Sequence, residues 1–163
     1  MSITSWVTAP KSDTDAAFRS WGLGISDALT TLGFPKTADT GQVDWATVTA
    51  PSASYPGYEI RYLNDSLHAT APIYMKILYG SSSTNVRCTL GISIGAGTDG
   101  AGSLSVPDKL LHITNFTIDI STSNSATTYT SRASARDTSG FVLCPFMGNS
   151  AGGSGDAMLL IER

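Results

Sequence analysis

Charge is what this chain has least of. Asp, Glu, Lys and Arg make up 14% of its 163 residues, against roughly a quarter in ordinary soluble domains. Its basic residues are scattered and its formal net charge is −3, so no Lys/Arg stripe exists to neutralise phosphates and no nucleic-acid partner is expected. Two histidines and two cysteines, far apart, lack the spacing of a transition-metal site. Cys88 and Cys144 are too few for a secreted disulfide framework. Each sits in an apolar, strand-like run, where a buried free thiol is the first reading and a bond between the two the second. Glu59 and Glu162 are the only glutamates. Both flank strand residues, so no paired-carboxylate glycosidase site can be identified, although an aspartate pair stays open. No apolar run approaches the ~20 residues of a membrane span. The N-terminus MSITSWVTAPKSDTD lacks a basic n-region and a continuous apolar h-region, so neither a signal peptide nor a membrane partner is expected.

What is present instead is Ser, Thr, Gly and Ala, with 41% hydrophobic residues arranged in short alternating runs. The length suits one domain with a real core. From Gln42 onward the period is two, and the runs are closed by Gly, Asn, Asp, Ser or Pro. Val43, Trp45 and Thr47 open the series. Tyr58, Ile60 and Tyr62 share one face of the next run, with Glu59 and Arg61 on the other. Met75, Ile77 and Tyr79 follow, then Leu90, Ile92 and Ile94, then Leu111 to Ile120. Tyr129 to Arg136 is more polar and reads as an outer or edge strand. Phe141 to Phe146 and Met158 to Ile161 complete the set. The fold class is therefore mainly β, an antiparallel β-sandwich or jelly-roll-like domain. It is preceded by an extended arm over residues 1–12 and one helix over about 14–32, with the sandwich over 42–163. Asp13 or Asp15 is the expected helix cap, Phe18, Trp21, Ile25, Leu29 and Leu32 form its apolar stripe, and Gly33 with Pro35 ends it.

Two strings have the look of enzyme motifs. Gly91-Ile-Ser93-Ile-Gly95 matches GxSxG, but a nucleophile elbow needs a strand-to-helix turn, and Ser93 instead lies inside an alternating strand with no helix after it. His68 or His112 could serve it only by coincidence of folding. Gly95-Ala-Gly97-Thr-Asp99-Gly100 matches GxGxxG, yet the helix that would receive a pyrophosphate is missing. The string reads as a turn with Asp99-Gly100 at an exposed tip. Gly152 to Asp156 occurs once, which does not make a calcium repeat; Asp99 and Asp156 leave only a weak hard-cation alternative. Tyr55, Tyr58, Tyr62, Tyr74 and Tyr79 are read first as strand packing and second as a glycan surface. No catalytic residue, cofactor or metal is expected.

Four blocks carry a resemblance: FRSWGLGISDALTTLGFPKTADTGQVDWATV (Phe18 to Val48), GYEIRYLNDSLHATAPIYMKILYGS (Gly57 to Ser81), GISIGAGTDGAGSL (Gly91 to Leu104) and the terminal LLIER. Together they resemble a family of small bacteriophage structural-module proteins, the virion or tail proteins, over about two thirds of the chain. Members of that family often run on beyond the LLIER block, so the resemblance leaves open whether this is a shortened member. The resemblance implies a non-enzymatic, oligomerising virion subunit made in the host cytoplasm, with other virion proteins as partners. The expected placement is tail-associated, in a fibre, baseplate or adaptor; a capsid decoration or cement protein is the alternative. A carbohydrate-binding module for host surface glycans is the rival from another class. The residues expected at subunit interfaces are Trp6 and Val7 in the arm and Phe18, Trp21 and Ile25 on the helix.

Overall fold

The computed structural model describes residues 2–8, 14–49, 55–81, 88–105, 118–119, 129–147 and 157–163. The GNSAGGSG loop, most of the Leu111 to Ile120 run, His112 and the Gly152 to Asp156 string lie outside the described residues, as do the side chains of Cys88 and Cys144. In chain order the elements are β1 (Ser2–Thr8), α1 (Asp15–Thr31), β2 (Gly57–Tyr62), β3 (Tyr74–Ser81), β4 (Cys88–Gly95), β5 (Gly97–Thr98), β6 (Leu104–Ser105), β7 (Ile118–Asp119), β8 (Tyr129–Ala135), β9 (Gly140–Met147) and β10 (Ala157–Glu162). They form two four-stranded sheets, β1-β8-β9-β10 and β2-β3-β4-β7, and the small β5-β6 pair. Every pairing is antiparallel. The fold is mainly β, with a single helix among the described residues.

Helix α1 starts at Thr14, whose extended backbone and Oγ1, accepting from Ala17 N–H at 3.2 Å, make it the N-cap. The aspartates expected there are displaced by one residue. Asp15 is already helical, where its charge suits the positive end of the dipole. The C-terminus closes as a Schellman motif: Phe34 N–H donates to Leu29 O at 2.9 Å and Gly33 N–H to Thr30 O at 3.0 Å. Gly33 supplies the required positive φ of 92°.

One core joins all the layers. Phe18, Trp21, Ile25 and Leu29 from the helix meet Met75, Ile77, Tyr79, Leu90 and Ile92 from one sheet and Ala133, Leu143, Phe141 and Ile161 from the other. The helix packs over β1 and β8. Small residues at Ala133 and Ala135 on the inner face of β8 leave room for that approach.

Two expectations are corrected. Residues 42–48 are not a strand. Asp44 accepts from Ala46 N–H and the Thr47 hydroxyl at 2.9 and 2.8 Å, and its carbonyl from Val48 N–H at 2.9 Å, which curls the segment into a turn. β8, polar in sequence, is an inner strand, because β1 adds to its far side with Ser2 opposite Ala135. The arm is thus the edge strand of the chain's own sheet. Within β9, Pro145 cannot donate to a ladder, and the register slips by one residue around it against both β8 and β10.

Candidate functional site

The densest chemistry is inside the domain. Glu59 and Arg61 pair with Ile77 and Met75 across β2 and β3, which places both charged side chains on the core-facing side. They are 0% and 1% exposed. Glu59 Oε1 accepts from Ser26 Oγ at 2.7 Å, Trp45 Nε1 at 3.1 Å and Lys36 Nζ at 3.4 Å. Its Oε2 accepts from Arg61 Nε at 3.1 Å and from the Tyr79 hydroxyl at 3.2 Å. The guanidinium also donates to Thr30 Oγ1, to Phe34 O and to Ser26 Oγ at 3.0, 2.8 and 2.8 Å. Burial alone would raise the Glu59 carboxyl. Arg61 first, then the Ser26 hydroxyl, Lys36 and Trp45, together outweigh it and hold the group below the ordinary carboxylate range. Burial and the neighbouring carboxylate push the Tyr79 phenol well up, so it stays a donor. Glu59 and Arg61 are sealed from solvent, and their polar atoms are committed to one another and to these partners. The cluster ties helix to sheet.

A second network fastens the glycine loop. Asp39 Oδ1 accepts from Thr37 Oγ1 at 2.6 Å, while Oδ2 accepts from the Thr98 hydroxyl and from Gly102 N–H at 3.2 Å. Lys76 Nζ lies 4.4 Å from the Tyr58 ring centroid and donates to Gly102 O at 2.6 Å. The loop that matched GxGxxG is therefore the β5-β6 hairpin, folded back toward Tyr58 and Lys76. Asp99 and Gly100 sit at its tip, both exposed. Asp99 accepts from Ala101 and Ser103 N–H at 2.8 and 2.9 Å, and Gly100 has φ 77°. Burial would raise the Asp39 carboxyl, but the bonds from Thr37, Thr98 and Gly102 prevail and lower it. Stability from this latch is therefore present above the unfolded carboxylate value of about 3.9 and is lost as pH falls through the lower folded one. Asp39→Ala is expected to cost roughly 1–3 kcal/mol by orphaning those donors. Gly102 amide exchange should accelerate, and an unchanged rate would refute the latch.

The third feature is a surface. Ile3 lies opposite Ser134, Ser134 opposite Val142 and Val142 opposite Leu160. These four form a row across the whole β1-β8-β9-β10 sheet on its outer side. Ile3 is 60% and Leu160 54% exposed. Beside the row, Arg136, Ser139, Val142, Leu160 and Glu162 line a hollow of about 290 Å³. Ser139 N–H and hydroxyl, with Arg136, hold the Asp137 carboxyl at the rim down to about 2.

The residues singled out from sequence separate as follows. Phe18, Trp21 and Ile25 are 0%, 1% and 0% exposed within the chain's own core; their apolar stripe is spent on the two sheets. Trp6 and Val7 lie opposite Ser131 and Thr130 in β1, their side chains outside the described residues. Ser93 sits in mid-strand opposite Lys76. Tyr79 is buried, and Tyr58 donates to Thr40 O at 2.6 Å. Tyr62 stacks on His68 at 4.5 Å with Tyr74 alongside, 5.7 and 5.6 Å from the two rings. Among the described residues no three His, Cys, Asp or Glu side chains converge on a metal-sized site, and no helix is long and apolar enough to cross a membrane. Comparison with protein-family models, curated proteins and solved structures finds no match to this chain.

Proposed function

We propose that this chain is a non-enzymatic structural subunit of a bacteriophage particle, an oligomerising tail-associated part such as a fibre, baseplate or adaptor component. The sequence blocks from Phe18 to Leu104 and the LLIER terminus motivate the phage assignment. The observation that carries the structural role is the contrast between inside and outside. The polar chemistry at Glu59, Arg61 and Asp39 is committed to holding the domain together, whereas the Ile3-Ser134-Val142-Leu160 row faces outward with three apolar side chains and one small hydroxyl. An outward row of this kind on a weakly charged surface favours association with other subunits. The mechanism is geometric: a rigid sandwich presents one sheet to its neighbours in the particle.

Gel densitometry of purified virions should show the chain as a stoichiometric band, and absence from particles would sink this reading. Separation of heads from tails should place the band with tails. Recovery with heads would favour the capsid-decoration role instead. The Tyr62, His68 and Tyr74 cluster, next to the exposed Leu67, supports the rival glycan-binding reading. Under that reading, Tyr62→Ala and Tyr74→Ala abolish binding to host surface polysaccharide. Absence of binding by the unmodified chain removes it.

A further inference from the structure

The two large sheets treat their edges differently. The outer edge of β2 is covered: Thr37 N–H donates to Ile60 O at 2.8 Å, Val43 N–H to Tyr58 O at 2.9 Å and Tyr62 N–H to Pro35 O at 3.3 Å. The Gln42 side-chain oxygen accepts from Ile60 N–H at 2.8 Å. Nothing among the described residues pairs with the outer edge of β10. Its direction is fixed by Arg163 N–H, which donates inward to Ser139 O at 3.1 Å. Alternation then turns the N–H and C=O groups of Ile161 and Leu159 toward β9 and those of Met158, Leu160 and Glu162 outward. The strand carries no Pro and no Lys, and the extra residue at the neighbouring bulge belongs to β9. Edges left in this state are templates for another strand.

We propose that β10 is a self-complementary docking edge, which pairs antiparallel with β10 of a second copy about a two-fold axis through Leu160. This deepens the oligomer reading above and rests on it only for its setting in a particle. The second copy is the fitting occupant because the outward groups are symmetric about Leu160. On that axis Leu160 pairs with its own counterpart and Met158 with Glu162 of the other copy, each pair exchanging two hydrogen bonds. Val142 and Leu160 of the two copies then form a continuous apolar run across the axis, which covers the 54% exposed Leu160. Other registers are worse. Centring on Glu162 opposes two carboxylates, and centring on Ile161 gives up the Leu160-Leu160 pair, setting each exposed Leu160 against a carboxylate instead. Arg136, which pairs with Asp137 at 2.9 Å, lines the same hollow as Glu162.

The test uses the full chain in light scattering and sedimentation. The unmodified chain should dimerise at high concentration. Leu160→Lys and Leu160→Glu, each exposed and so harmless to the fold by circular dichroism, should be monomers because like charges meet on the axis. Mixing the two in equal amounts should restore a dimer through opposite charges at that same position. A monomeric unmodified chain, a persistent dimer in either single variant, or a mixture that stays monomeric overturns the proposal. A chain that is monomeric alone yet stoichiometric in virions overturns only this edge. A dimer absent from virions overturns only the particle role.

Discussion

Replacing Arg61 with methionine is expected to remove about 3–5 kcal/mol of stability, a large share of the 5–15 kcal/mol that holds a domain together. The reason is what remains behind. Glu59 stays fully buried and, among the described residues, keeps only Lys36, at 3.4 Å, as a counter-charge. The Phe34 carbonyl and the Thr30 hydroxyl lose their donor as well. The comparison that isolates the pair is the double variant Glu59→Met with Arg61→Met. It carries no stranded charge, and apolar replacements of buried pairs are often tolerated. Part of the loss should return, short of the whole, because Ser26, Trp45 and Tyr79 also lose their acceptor. Urea unfolding of the unmodified chain, the single variants Arg61→Met and Glu59→Met, and the double variant gives the coupling energy. The pH dependence supplies a second check. In the native protein Glu59 is held below its ordinary value, so its contribution is present above the unfolded value near 4.3 and disappears as pH falls through the folded one. In Arg61→Met, burial prevails and raises the group, so the penalty should shrink as pH falls and Glu59 takes up a proton. A penalty independent of pH between 7 and 4 would refute the stranded-charge account.

That pair also marks the boundary of what a single sequence discloses here. The period of two correctly put Glu59 and Arg61 on one face of β2 and Tyr58, Ile60 and Tyr62 on the other. Periodicity tells which residues share a face; which face is buried depends on the layer that covers it. Ser26 and Thr30 arrive from a helix some thirty residues away and make the charged face the inner one. The runs at β3 and β4, the helix and its Gly33 ending depend on local patterning, and they were legible. The turn at Asp44 was not, since Val43, Trp45 and Thr47 alternate like a strand while the deciding bonds run from one carboxylate to its own neighbours. β8 looked like an edge because it is polar. Its inner position follows from pairing with a segment more than a hundred residues earlier. The outer row suffers most from this, because Ile3, Ser134, Val142 and Leu160 become neighbours only through three separate registers.

Gly22→Ala should destabilise the domain, although the same change in an isolated helix gains up to about 1 kcal/mol. A β-carbon at Gly22 would stand 1.8 Å from Trp45 Cη2, 2.2 Å from Cζ3 and 2.6 Å from Cζ2. The indole has no easy retreat. It meets Tyr79 edge-on at 4.8 Å, lies 6.0 Å from Phe18 and donates Nε1–H to Glu59 at 3.1 Å. Either the helix lifts from the sheet or the ring leaves, and the latter also takes a donor from the buried carboxylate. Overpacking of this kind costs about 1–3 kcal/mol and at times more. With the surrendered Glu59 bond it outweighs the helix term, for a net loss of roughly 2 kcal/mol. The background Trp45→Leu separates the two contributions, because it empties the space a methyl group needs. There Gly22→Ala should turn neutral or mildly stabilising, so that the sign of the effect reverses between backgrounds in thermal unfolding. If Gly22→Ala were equally harmful in the Trp45→Leu background, the close approach of the indole could not be the reason a glycine stands in mid-helix. If it were stabilising in both, helix propensity alone would govern the position, and Trp45 would be free to move.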